Sequence, residues 1–142
     1  MGKQELDNLV KIGSLKAEAA SRKEFDGMVK SASRGLADSQ NESIETDSQF
    51  DLACEAAHKL ALAALRNQGY RSENRITVFQ ALAHTLATPN ADLQIFLRAH
   101  NERNLAAYEG RVDIDKRLLA ELIGATKRLQ VAVSKLTPPP PE

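Results

Sequence analysis

The stretch FDLACEAAHKLALAALRNQG, residues 50–69, decides what kind of fold this chain adopts. Phe50, Ala53, Cys54, Ala57, Leu60, Ala61, Ala64 and Leu65 recur three and four positions apart, the spacing that lines one face of an α-helix. Ser48 and Asp51 stand where a side chain can cap the first backbone N–H groups, and Gly69 stands where a helix closes. The alanines of the stripe are small, so a neighbouring helix can approach closely.

Downstream, GYRSEN (69–74) reads as a turn, and a shorter helix carrying Ile76, Phe79, Leu82, Ala83 and Leu86 follows it. ATPNAD (87–92) is a boundary: Thr88 can cap, Pro89 suits a first helical position, and Asp92 complements the dipole of the next helix. That helix runs to about Glu109 and stops at Gly110. Asp113 starts another, on which Ile114, Leu118, Leu122, Ala125, Leu129 and Val133 recur at helical spacing. Upstream, SQNESIETD (39–47) is a polar connection. Before it, Ser21 and Glu24 fit a capping box that opens a helix bearing Phe25, Met28, Val29, Ala32 and Leu36. A short helix over about 4–12, with Leu6, Leu9 and Val10 on one face, ends at Gly13. TPPPPE (137–142) favours an extended polyproline conformation and reads as a mobile end. The expected fold is all-α: a single up-and-down bundle of five or six helices over residues 1–136, with a Pro-rich tail at 137–142.

Composition agrees. Of the 142 residues 42% are hydrophobic but only 4% aromatic, with no tryptophan, and the strong helix formers alanine and leucine dominate. A chain of this length fits one domain with a real core. Lys plus Arg and Asp plus Glu both number 19, so the chain lacks the basic excess that holds polyanions by bulk charge. The lone Cys54 makes neither an internal disulfide framework nor a cysteine-rich zinc site. No apolar run approaches the roughly 18–20 residues that cross a bilayer, and the N-terminal stretch lacks a secretory pattern. No membrane association and a cytoplasmic setting are therefore expected.

One segment breaks the pattern. In HNERNLAAYEG (100–110), polar residues continue what had been an apolar stripe. At about 100° per residue, Leu93, Phe96, Leu97, His100, Asn104 and Ala107 share one arc, with Arg103 and Tyr108 at its two edges. Arg98, Glu102 and Glu109 point the other way as a solvated face, where Arg98 and Glu102 can pair. A buried polar group without a partner costs roughly 1–3 kcal/mol. The polar stripe must meet other polar groups inside the subunit, leave the core, or face a groove or a partner chain. Asn104 bridging backbone groups of a neighbouring helix is the structural alternative to a functional site.

The segments AAHKLALAALRNQGYR (56–71), ITVFQALAH (76–84) and ERNLAAYEG (102–110) resemble, in order and spacing, those of HEPN domains, the higher-eukaryote and prokaryote nucleotide-binding proteins. The resemblance spans roughly residues 5–135. It implies a helical bundle that forms a homodimer. It also implies a link to RNA or nucleotides, since many members are metal-independent endoribonucleases that need no cofactor. These are often toxins paired with a nucleotidyltransferase antitoxin, or defence components. Their motif is Arg, usually Asn, then His a few residues on; here Arg103, Asn104 and Tyr108 match those positions. Motif helices from two chains meet in the active members, which accounts for a polar stripe covered only in a dimer.

Metal-free RNA cleavage needs a cation for the phosphorane charge and a group that moves the 2′-hydroxyl proton. Arg103 suits the first role, because a guanidinium stays charged and offers a two-pronged fork, and Asn104 can orient the site. Tyr108 replaces the histidine of the active members. An unperturbed tyrosine has a pKa of about 10, against about 6.5 for histidine, so it serves as a hydrogen-bond donor rather than a base. His100, one turn before Arg103, is the best substitute, with His84 and His58 behind it. The three histidines show no zinc spacing. Cys54 reads as a packed thiol, and Tyr70 and Arg71 as turn residues with a phosphate contact as the alternative. Three functional readings stay open: an RNA-acting ribonuclease, active or decayed; a non-catalytic dimeric module that binds a nucleotide or a nucleotidyltransferase partner; and a dimeric helical scaffold with no small-molecule site.

Overall fold

A computed structural model describes residues 2–110 and 113–142. The helices are α1 (Gly2–Lys11), α2 (Arg22–Ser39), α3 (Thr46–Asn67), α4 (Arg75–Gln80), α5 (Leu82–Thr85), α6 (Asn90–Glu109) and α7 (Lys116–Ser134). α4 and α5 form one passage that tightens at Ala81, whose carbonyl accepts from His84 N at 2.9 Å. The expected all-α helical bundle is therefore what the chain adopts. Among the described residues no helix is long and apolar enough to cross a membrane.

α3 is the hub. It touches α2, α4, α5, α6 and α7, and every residue of its expected apolar stripe is buried. Ala56 and Ala63 are buried as well, because α3 is covered on more than one side. On the α2 side the fit is close: a Cβ placed on Gly35 would lie 3.8 Å from the Ala56 Cβ and 3.7 Å from the Leu52 carbonyl oxygen. One hydrophobic cluster runs from Leu6 in α1 to Val133 in α7.

Several helix starts differ from the sequence expectation. α3 begins at Thr46, so Ser48 and Asp51 lie inside the helix; Glu45 occupies the cap position without a side-chain bond, and Asp47 supplies the first-turn negative charge. Thr88 caps nothing, since Pro89 stands at the cap position of α6. α7 is capped by Asp115, which accepts from Arg117 N at 2.8 Å, rather than started by Asp113. Ser21 does cap α2, accepting from Glu24 N at 3.2 Å. The other half of the expected capping box is diverted. The Glu24 carboxylate accepts instead from Arg66 Nε at 2.5 Å and Arg71 Nη2 at 2.6 Å.

That diversion belongs to a clip the sequence did not reveal. Lys16–Ala17 (β1) pairs antiparallel with Tyr70–Arg71 (β2), in the register Lys16 to Arg71 and Ala17 to Tyr70. Beneath the ladder lies Arg66, 2% exposed. Its Nη1 donates to the carbonyls of Glu18 and Tyr70 at 2.9 and 3.3 Å, and its Nη2 to that of Ala19 at 2.7 Å. Tyr70 and Arg71 are thus structural: the Tyr70 hydroxyl donates to Asp7, and Arg71 pairs with Glu18 and Glu24. The segment 137–142 runs back along the start of α2. Arg22 Nη1 donates to Pro139 O at 3.3 Å, and Ser21 Oγ donates to the Glu142 carboxylate at 2.7 Å.

Candidate functional site

Three helices converge on one cluster. α3 presents Asp51, Cys54, Glu55 and His58, which share a face by their helical spacing. α4 presents Arg75 and Phe79 one turn apart, and α6 presents Phe96, His100, Arg103 and Asn104. Phe79 is the floor. Its ring stacks on Phe96 at a centroid distance of 5.5 Å and meets His58 edge-on at 6.1 Å and His100 tilted at 6.4 Å.

The geometry of α6 resolves the polar stripe, and it corrects the expected arc. The buried residues of α6 are Asp92, Phe96, Ala99 and Ala106. At about 100° per residue, this face is centred about 80° round from His100. Asp92 can occupy it because Arg128 holds both carboxylate oxygens, at 3.0 and 2.8 Å. Ala99 and Ala106 leave room for the facing helices. Leu93 and Leu97, both expected within the arc, are only half-buried. The rotation turns Arg103 inward and Asn104 and Tyr108 outward; Tyr108 is 91% exposed.

The expected site residues are therefore divided. His100, Arg103 and Asn104 stay together, with Asn104 Nδ2 3.2 Å from His100 Nε2. If the amide donates there, the imidazole proton sits on Nδ1. Tyr108 stands apart in solvent. His84 lies half-buried in α5, outside the cluster, whereas His58 lies within it.

Arg103 is not a free cation. Its Nη1 donates to Glu55 Oε1 at 3.1 Å, and its Nε lies 3.4 Å from Asp51 Oδ1. The same Glu55 oxygen accepts from Arg75 Nη2 at 2.7 Å. Arg75, Glu55 and Asp51 escaped sequence reading. On α3 the i, i+4 spacing of Asp51 and Glu55 was visible, but their partners lie far along the chain and only folding brings them together. Arg98, expected to pair with Glu102, reaches Glu121 of α7 at 3.7 Å.

Burial pushes the Glu55 carboxyl up, yet the hydrogen bond and charge of Arg75, and then Arg103, outweigh it and hold the group below its usual range. Burial, reinforced by Arg75, pushes His58 down to about 4. His100 is lowered in the same way, by burial and then by Arg75 and Arg103. Both imidazoles are therefore neutral at pH 7, and His100 can accept a proton at Nε2 once the Asn104 amide releases it. Cys54 is buried and its thiol is pushed up to about 12, so it offers no thiolate nucleophile. The cavity among Cys54, Phe79, Phe96, His100 and the two arginines measures about 10 Å³, room for one water at most. The cluster therefore has no internal room for a ligand larger than water.

The buried imidazole has a measurable consequence. Among the described residues His58 Nε2 has no hydrogen-bond partner, and its folded pKa lies below the unfolded value of about 6.5. The unfolded chain therefore binds the extra proton first. The stability this group contributes is complete above pH 6.5 and is lost as pH falls toward 4. Allowing for its partial exposure, roughly 2 kcal/mol is expected to disappear over that window. Urea denaturation at pH 7.5 and 4.5 measures it, and His58→Leu should flatten the difference. An equal pH dependence in both proteins would show that the imidazole is solvated.

Comparison with protein-family models, with curated proteins and with solved structures finds no match to this chain.

Proposed function

We propose that this chain is a HEPN-like protein that binds RNA or a nucleotide through the outer half of α6, acting as a homodimer, with binding ahead of efficient cleavage. The observation that carries the reading is the arrangement of α6 itself. His100 and Asn104 are linked to each other, Arg103 lies one turn along beside Arg75 and Glu55, and the helix then continues into a wet face bearing Leu105, 41% exposed, and Tyr108. Guanidinium groups suit phosphate oxygens, an exposed amide suits a base or sugar edge, and an exposed phenol ring offers a stacking surface. A second α6 laid against Leu105 and Tyr108 gives the uncovered face a partner.

Binding ranks ahead of catalysis for two reasons. The Arg103 charge is already matched by two carboxylates, so it is not poised for a developing phosphorane. Tyr108, in the position of the family histidine, sits in solvent away from Arg103. His100 is the group that retains proton-accepting capacity.

The test is binding and cleavage of single-stranded RNA with a chelator present, comparing the parent chain with Arg103→Ala, His100→Ala and Tyr108→Phe. Arg103→Ala is expected to weaken binding at least tenfold, about 1.4 kcal/mol. His100→Ala is expected to remove any slow cleavage, and Tyr108→Phe to leave binding nearly intact because the ring remains. RNA binding that none of the three changes affects rejects the site.

A further inference from the structure

Glu55 holds an unusual position in this cluster, one that deepens the proposed binding of RNA or a nucleotide at α6 and rests on it. A single oxygen, Oε1, accepts from guanidinium groups on two different helices: Arg75 Nη2 at 2.7 Å and Arg103 Nη1 at 3.1 Å. One oxygen held between two cationic forks is the arrangement that a phosphate oxygen takes between paired arginines. We propose that Glu55 is a built-in occupant of a phosphate subsite between Arg75 and Arg103, and that a phosphate group of the ligand binds by displacing its carboxylate.

Access, charge and space agree with the exchange. The side chains of Arg75, Arg103 and Glu55 are 31%, 28% and 32% exposed, so all three are reachable from solvent. Below them the cavity of about 10 Å³ is too small for a phosphate, so an anion that bridges both guanidinium groups competes for the place where the carboxylate now sits. With both imidazoles neutral, the charges of Arg75 and Arg103 are balanced by those of Glu55 and Asp51. A phosphate added to the intact cluster brings surplus negative charge close to two carboxylates. One that replaces Glu55 brings far less surplus, and none if it is a singly charged phosphodiester. Glu55 is tied by Coulomb attraction and hydrogen bonds, and its flexible, partly exposed arm can swing into water. The free protein thereby discriminates against weakly held anions, because any ligand must out-compete a tethered carboxylate. A terminal phosphate of a nucleotide presents three strong acceptor oxygens to the two guanidinium forks, more than a carboxylate does, and so competes best for this place.

The experiment is calorimetric titration of the full chain with inorganic pyrophosphate, adenosine diphosphate and a short single-stranded RNA. Glu55→Gln keeps the shape and one acceptor oxygen but removes the competing charge. It is expected to bind pyrophosphate at least tenfold more tightly than the parent. Arg75→Ala should weaken binding, and adding Arg75→Ala to Glu55→Gln should abolish the gain. Should Glu55→Gln fail to fold, Glu55→Asp, whose shorter arm draws the carboxylate back from Arg75, decides the matter by tightening pyrophosphate binding or failing to. A purely structural ion pair predicts the opposite result, a lower melting temperature with pyrophosphate affinity unchanged or weaker, and that overturns the proposal. The subsite and the RNA- or nucleotide-binding function fail separately. Tighter pyrophosphate binding by Glu55→Gln with no binding of RNA or adenosine diphosphate keeps the subsite and rejects the function. Arg103-dependent RNA binding that Glu55→Gln leaves unchanged, for RNA and pyrophosphate alike, keeps the function and rejects the subsite.

Discussion

Replacing Phe79 with alanine is expected to destabilise the fold by roughly 3–5 kcal/mol, the range for removing a large buried ring. Phe79 is 3% exposed, stacks on Phe96, and supports both His58 and His100. Truncation therefore empties the floor of the cluster as well as part of the core. Water entering the space would reach His58 Nε2, which has no partner among the described residues. The His58 pKa should then climb from about 4 toward the ordinary 6.5. Phe79→Leu separates the two effects, because it fills most of the volume and is expected to cost only about 1–1.5 kcal/mol. Urea denaturation gives the stabilities, and an NMR titration of the imidazole C–H signals gives the pKa values. A loss of less than about 1 kcal/mol for the alanine variant, well short of the range for a buried ring, would mean that the ring is not embedded as described.

Removal of the Arg66 side chain is the second large effect expected, about 3 kcal/mol for Arg66→Ala. The guanidinium is buried, and deleting it leaves the carbonyls of Glu18, Ala19 and Tyr70 without their donor, each lost bond costing roughly 1–3 kcal/mol where water cannot replace it. Breaking a fully buried ion pair costs about 3–5 kcal/mol; here Glu24 keeps Arg71 and partial solvent access, which lowers the total. Lysine should not rescue the loss, because a point charge cannot serve acceptors spread around a planar fork. The damage should be local as well. Hydrogen exchange at Glu18 N, bonded to Gly69 O at 2.9 Å, is expected to accelerate along with that of the β1–β2 ladder. Unchanged protection there would show that the clip holds without its arginine.

Phe79 and Arg66 mark the two limits of what one sequence shows. The apolar period announced Phe79 as a core residue, since a ring in phase with Leu82 and Leu86 has few other places to go. Nothing in the period announced Arg66. It lies next to the α3 stripe and reads as an ordinary solvated charge until α2, β1 and β2 close over it. Glu24 shows the same limit from the other side. Its spacing from Ser21 matched a local capping box, but two arginines on distant segments offered its carboxylate stronger partners. The helix starts at Thr46 and Lys116 were missed because several polar residues in a row can each serve as a cap, and packing chooses among them.

In the candidate site the division is finer. His100, Arg103 and Asn104 were legible as a polar interruption of a helical stripe, and they do lie together. Their roles were not legible, because those depend on which way α6 is turned. Local periodicity favoured the Leu93–Leu97–His100 side. The bidentate Asp92–Arg128 pair and the small Ala99 and Ala106 turned the helix about a quarter of the way round instead. That rotation carried Arg103 to Glu55 and left Tyr108 in water.

What this sequence determines by itself is where the helices run and which residues of α3 form the centre of the bundle, because apolar period and helix propensity act within a few turns of chain. What only the tertiary structure decides is the partner of each charged group: Glu55 for Arg75 and Arg103, Glu24 for Arg66, Asp92 for Arg128. Ion pairing depends on distance through space, and residues tens of positions apart acquire a distance only when the helices pack.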